Sequence, residues 1–305
     1  KKKKVSIQSM VEKKSGNWVP KEYVTTNVNR SKLGRCKKNN GWLATSLGLR
    51  YEEDIRCLGF IAVWCTNLAL LWFYGEEIVS YGSTHASDLY HVRLVPFNLV
   101  TLINFKFTLS GLFIYCFLLA INMMLSFTSS IITHSAVHTA TFNNETANDM
   151  YKLVLGTMYG IPVSVFLPTH NLSHHKYTQM RRDVSRTYKV RHDWNLLNFI
   201  HYPFMWYNAS LPTNIEYFKA QRSKNRPIWY QFRFQAIVFV IIHAIAFFYS
   251  IPKTLVLLML PQQFAQQAIG WTTLMQHDGM ELDLLGFNHS RNFTGSVYNW
   301  LDNTD

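Results

Sequence analysis

Four long stretches without a single charged side chain constrain this sequence most. Residues 57–74, 107–132, 234–252 and 254–275 hold 18, 26, 19 and 22 residues, each free of Asp, Glu, Lys and Arg. A helix rises about 1.5 Å per residue and a bilayer core is about 30 Å thick, so roughly 20 apolar residues cross it. All four stretches qualify as transmembrane helices, and the 26-residue one is expected to tilt or project. Only Lys253 separates the last two, which predicts a tight helical hairpin. Two shorter apolar stretches, 94–105 and 153–168, are expected to form interfacial or re-entrant helices. The second is broken by Gly156, Gly160, Pro162 and Pro168.

Charge placement supports the same topology. With four spans and both termini on one face, that face carries residues 1–56, 133–233 and 276–305 and 27 of the 30 Lys and Arg residues; the opposite face carries 3. Such asymmetry is the positive-inside pattern of a cytosolic or matrix face. It accounts for the net charge of +12 through contact with anionic lipid headgroups, so no nucleic-acid partner is expected. The mean hydropathy of −0.03 hides this organisation, because apolar spans and basic lobes cancel. With 48% hydrophobic residues and four cysteines lacking any CxxC spacing, the chain is neither disordered nor a disulfide scaffold. Cys36, Cys57, Cys65 and Cys116 are expected to be inert thiols. Asn144, Asn208 and Asn292 begin glycosylation sequons, but on the basic face, where they are expected to go unused.

Six of the twelve histidines fall into three tight patterns: His134 and His138 in HSAVH, His170, His174 and His175 in HNLSHH, and His277 in QHDG. On an α-helix, His134/His138 and His170/His174 are each one turn apart, so either pair can grip one metal ion. All three patterns fall on the basic face, at the ends of spans or in the long lobe between them. Imidazole-rich sites suit redox metals such as iron, and more than four clustered histidines suggest two ions rather than one closed zinc site. The remaining histidines, among them His85, His91, His192, His201 and His243, are expected to serve structure; His243, inside a span, should bond a neighbouring helix.

These residues resemble the integral-membrane fatty-acid desaturase family, related in plan to membrane alkane hydroxylases. The resemblance covers roughly residues 50–300. Its most specific elements are residues 169–186, THNLSHHKYTQMRRDVSR, similar to the family's second histidine box with its following Tyr-Thr and Asp, and residues 275–295, similar to the approach to the third box. The resemblance implies an α-helical integral membrane fold with four transmembrane helices in two hairpins and a helical cap on the basic face. It also implies a histidine-only di-iron centre that uses O₂ to oxidise a fatty-acyl chain. Carried over, His134 and His138 match the first box, His170, His174 and His175 the second, and His277 the histidine that follows the fourth helix. His289 is given a positioning role. The sequence departs from the family in two places. Ser135 stands in the first box where many members carry an acidic residue, and YNWLDNTD ends the sequence where a third HxxHH is expected.

The expected organisation is a basic N-terminal arm, 1–56, followed by a desaturase-like domain, 57–305, with its cap at 133–233. Two functions follow. One is a lipid desaturase fed by a separate electron donor, cytochrome b5-like or ferredoxin-like, in the endoplasmic reticulum or the mitochondrial inner membrane. The other is a catalytically degenerate fold retained as a structural or lipid-binding subunit of a larger membrane complex.

Overall fold

The computed structural model describes residues 41–83, 90–94, 103–177, 180–187 and 195–277, with the backbone alone for 90–94 and 103–105. Most of the predicted N-terminal arm, and residues 278–305 with His289, lie outside this set. The main helices are α1 (Trp42–Ser46), α2 (Ile55–Val79), α3 (Leu109–His138), α4 (Glu145–Tyr159), α5 (Leu196–Ser223), α6 (Pro227–Tyr249) and α7 (Leu260–His277).

Three helical segments, Glu52–Val79, Leu109–His138 and Pro227–Tyr249, are long and apolar enough to cross a membrane. The count rises to four if Glu145–Tyr159 and Val163–Tyr177, bent by 84°, form one span. The chain is therefore built as a membrane protein, and these three helices cover the first three predicted stretches. On α6 only Gln235 is buried, while Val240, Ile241, Ile245 and Phe248 are exposed. A helix apolar all round and buried almost nowhere is matched to lipid rather than water.

The fourth predicted stretch is helical but differs in kind. A π-helical run, Thr254–Met259, leads into α7, whose Gln262, Gln263, Gln266 and Gln267 make it too polar to join the other three. Two of these amides tie helices together. Gln262 donates to the Thr157 carbonyl at 2.6 Å and lies 3.1 Å from His243 Nε2, while Gln266 reaches the Tyr159 carbonyl at 3.4 Å. The inter-helix role expected of His243 is thus observed. Asn122, fully buried on α3, donates to the Leu257 carbonyl at 2.8 Å within the π-helical run.

The helix expected at 94–105 is corrected at its two ends, residues 95–102 lying outside the described set. Tyr90–Leu94 and Ile103–Phe107 are two short strands, β1 and β2, paired antiparallel. Their sequences, YHVRL and INFKF, alternate apolar and polar residues at the period of a strand. The register pairs Tyr90 with Phe107, Val92 with Phe105 and Leu94 with Ile103, like with like.

The helix α3 carries the fold's interior. It is capped by Thr108, whose hydroxyl accepts from the Gly111 amide. Its first half exposes Phe113 and Phe117, whereas residues 125–133 are buried throughout. Small residues permit that burial: Ser129 and Ser130 return their hydroxyls to the carbonyls of Ser126 and Phe127, each at 2.6 Å, and let α2 and α7 approach.

The sharp bend after α4 positions the second histidine pattern. Asn144 caps the start of α4, and Gly160 ends it at φ +92°, a left-handed conformation that favours glycine. A Cβ at Gly160 would lie 2.6 Å from the Gln262 Cβ. Gly160→Ala is therefore expected to cost about 2–4 kcal/mol, read as a lower Tm in detergent by circular dichroism. Gly59→Ala, which enters open space, should leave Tm unchanged or slightly raised. Equal melting of the two variants would contradict the role of the bend.

Candidate metal centre

The last turn of α3 supplies His134 and His138, four residues apart as expected. The second pattern is arranged differently from the α-helical expectation. Leu167–His174 is π-helical, and the His175 amide donates to the His170 carbonyl five residues back. The π-type hydrogen bond thus links His170 to His175, five residues on, rather than to His174. The predicted His170/His174 grip on one ion is thereby replaced by His170/His175, whose Nε2 atoms lie 2.9 Å apart.

His138 completes a triangle. Its Nε2 is 3.1 Å from that of His170 and 3.1 Å from that of His175. His134 packs edge-on against His138 and His170, with ring centroids 5.1 and 4.4 Å away. One nitrogen from each of these four residues lies within 4.8 Å of the others. Protons alone cannot satisfy the triangle. A neutral imidazole has one N–H and one lone pair, so at most two of three mutual Nε2 contacts are hydrogen bonds, and the third sets like against like. Charging the rings instead would bring imidazolium groups into mutual repulsion.

A metal cation satisfies all three lone pairs at once. Bonds of about 2.1 Å place neighbouring octahedral nitrogens about 3.0 Å apart and tetrahedral ones about 3.4 Å apart. The observed edges of 2.9–3.1 Å are short enough for the three nitrogens to share one ion, so the donor set fits a metal that accepts imidazole.

His174 belongs to a second pole. Its ring is buried, and Nδ1 donates to Asp183 Oδ2 at 2.9 Å, with Ser185 Oγ also 2.8 Å from Nδ1. Asp183, 1% exposed, accepts at Oδ1 from both the amide and the hydroxyl of Ser185 at 2.8 Å, and Tyr202 donates to the Ser185 carbonyl at 2.5 Å. This network leaves the Nε2 of His174 as its outward nitrogen. His277, at the end of α7, packs edge-on against His174 with ring centroids 4.7 Å apart.

All six predicted histidines therefore meet in one unbroken set of ring contacts, from His134 through His138, His170, His175 and His174 to His277. His85, His192 and His289 lie outside the described residues, as does the side chain of His91; His201 is exposed. In the sequence, Asp183 stands only as the Asp of the histidine-box run, with no role read from it. Its signal was its place in the histidine-box run, nine residues after His174.

Beside the centre lies a cavity of about 410 Å³ between α4, the bend, α5, α6 and α7. Its wall includes Tyr159, Val165, Phe166, Trp206, Phe218 and Phe232. Phe166 joins it to the centre, with its ring 5.2 Å from that of His170.

Fold and site together define a helical membrane protein with an imidazole-rich centre where helix ends meet. The chain belongs to the fatty acid desaturase family, whose sequence model matches residues 109–303, from the start of α3 past all six histidines. No curated protein and no solved structure matches the chain.

Proposed function

We propose that the chain is an O₂-dependent fatty-acyl desaturase, and that His134, His138, His170 and His175 hold one iron while His174 and His277 contribute to a second. The Nε2 triangle carries this reading, since it is an arrangement that a cation completes and protons do not. Iron would supply the activation of O₂. One turnover takes two hydrogens from adjacent methylenes, two electrons and two protons from outside, and one O₂, giving an alkene and two waters.

The chain's own residues hold and orient the reactants. The Asp183 carboxylate fixes the tautomer and direction of His174. The apolar cavity next to Phe166 keeps an acyl chain straight and dry beside His170. On this reading the three apolar helices and the glutamine-rich stretch 254–275 make four spans in two hairpins, with 133–233 as a cap, and the centre lies at the lipid boundary on the cytosolic or matrix face. The electron donor is a separate cytochrome b5-like or ferredoxin-like protein.

The competing reading is a degenerate desaturase fold serving a larger membrane complex. One observation favours it: among the described residues the second pole has two imidazoles, His174 and His277. The test is full-length protein in nanodiscs, loaded with ferrous iron and supplied with reduced donor, acyl lipid and air. New double bonds, detected by mass spectrometry and absent without O₂, are the expected result. Bound iron without product under every donor tried would support the structural subunit.

A further inference from the structure

The cavity is not uniformly apolar, and its polar atoms are placed in order. Along α5, Trp206, Ser210, Asn214, Phe218 and Arg222 share one stripe at four-residue spacing, and all of them line the cavity. At the inner end, Tyr202 is bonded to the network that holds His174. At the outer end, Lys219 and Arg222 are exposed, and the Arg222 guanidinium lies over the Trp229 ring at 5.7 Å. Midway, the Ser210 hydroxyl and the side-chain carbonyl oxygen of Asn214 are buried without a hydrogen-bond partner. Gln267 on α7 lines the same cavity, and its side-chain carbonyl oxygen is in the same condition. Ser210 is 8% exposed.

Buried polar groups are satisfied in nearly all proteins, and each unmet one costs about 1–3 kcal/mol. Three in one cavity, from two helices, mark a place where a ligand supplies the partners. Two carboxamides and a hydroxyl are matched most completely by another amide, which offers an N–H and a C=O together and pairs with a carboxamide whichever way that group is turned. An ester or thioester offers acceptors alone. The cationic mouth one to two turns further along α5 suits a negative charge just beyond the amide.

Resting on the desaturase reading, we propose that the cavity takes an acyl chain amide-linked to an anionic head group. The amide sits among Ser210, Asn214 and Gln267, the head meets Lys219 and Arg222, and the tail points toward His170. Ser210 and Asn214 stand 8 and 12 residues beyond Tyr202, which sets the amide about 12–18 Å along the helix from the centre.

An isosteric pair of probes tests this without metal or turnover: a doxyl-labelled N-acylglycine, and the O-acyl ester of glycolic acid with the same chain and label. Both quench tryptophan fluorescence when the tail enters beside Trp206. With the full chain in detergent micelles, the amide should bind about tenfold more tightly than the ester. Ser210→Ala/Asn214→Leu should remove that preference while leaving ester binding within about twofold. Lys219→Ala/Arg222→Ala should weaken both probes and reduce their salt dependence. Equal binding of the two probes by the unaltered protein would overturn the amide assignment and leave the acyl site standing. Quenching by neither probe would remove the acyl site itself, and the amide assignment with it.

Discussion

His175→Ala is expected to lower iron affinity by roughly 100-fold or more and to abolish lipid oxidation. Even outer groups that only orient a metal ligand are worth 10–100-fold in affinity, so removing a ligand should cost at least as much. The effect should exceed anything predicted from packing, because His175 is exposed. Its imidazole instead supplies one corner of the triangle, 2.9 Å from His170 and 3.1 Å from His138. A purely structural role predicts the opposite outcome: little change in iron content and little change in melting. His201→Ala is the matched control, an exposed histidine on α5 expected to change neither. Elemental analysis and single-turnover product measurement on the two variants, prepared side by side, decide between the alternatives. Retention of wild-type iron by His175→Ala would remove the triangle from the account.

Asp183→Ala is expected to have the largest effect on stability, about 3–5 kcal/mol, out of a total that for most proteins is about 5–15 kcal/mol. The carboxylate is buried and holds His174 Nδ1 together with the amide and hydroxyl of Ser185, so its removal strands buried donors rather than trimming a contact. Asp183→Asn separates stability from positioning. It keeps shape and one acceptor oxygen but loses the negative charge that favours Nδ1–H on His174. The fold should survive with a loss of about 1–2 kcal/mol, while metal affinity falls about 10–100-fold. Thermal unfolding and iron titration read the two effects independently. Should Asp183→Asn bind iron as the unaltered protein does, Asp183 would be a core residue and nothing more.

The six histidines were legible because each pattern occurs at a helix end and the topology brings those ends to one side. What could not be read was the helical period at 167–174. The sequence HNLSHH permits pairing at four or five residues, and the π-helical hydrogen bonds that select His170 with His175 depend on how the segment leaves the bend at Gly160. The partner of His174 was also hidden, since the bond to Asp183 depends on the fold of the segment between them.

The spans divide along the same line. Residues 57–74, 107–132 and 234–252 are long and apolar, so length and composition sufficed. In 254–275, absence of charge is not apolarity: two of the four glutamines there, Gln262 and Gln266, bond the carbonyls of α4, and Gln262 also meets His243. The ribbon β1–β2 was readable in principle, since YHVRL and INFKF alternate cleanly. The run 94–105 also holds enough hydrophobic residues for a short helix, so composition alone does not separate the two.

Whether His138, His170 and His175 together bind one iron ion is read from iron content and the iron-edge X-ray absorption spectrum of the full chain in nanodiscs, loaded anaerobically. At least one iron per chain with a shell of imidazole nitrogens is expected, both lost in His138→Ala/His170→Ala/His175→Ala. Well under one iron per chain in the unaltered protein, or an imidazole shell that persists in the triple variant, would contradict it.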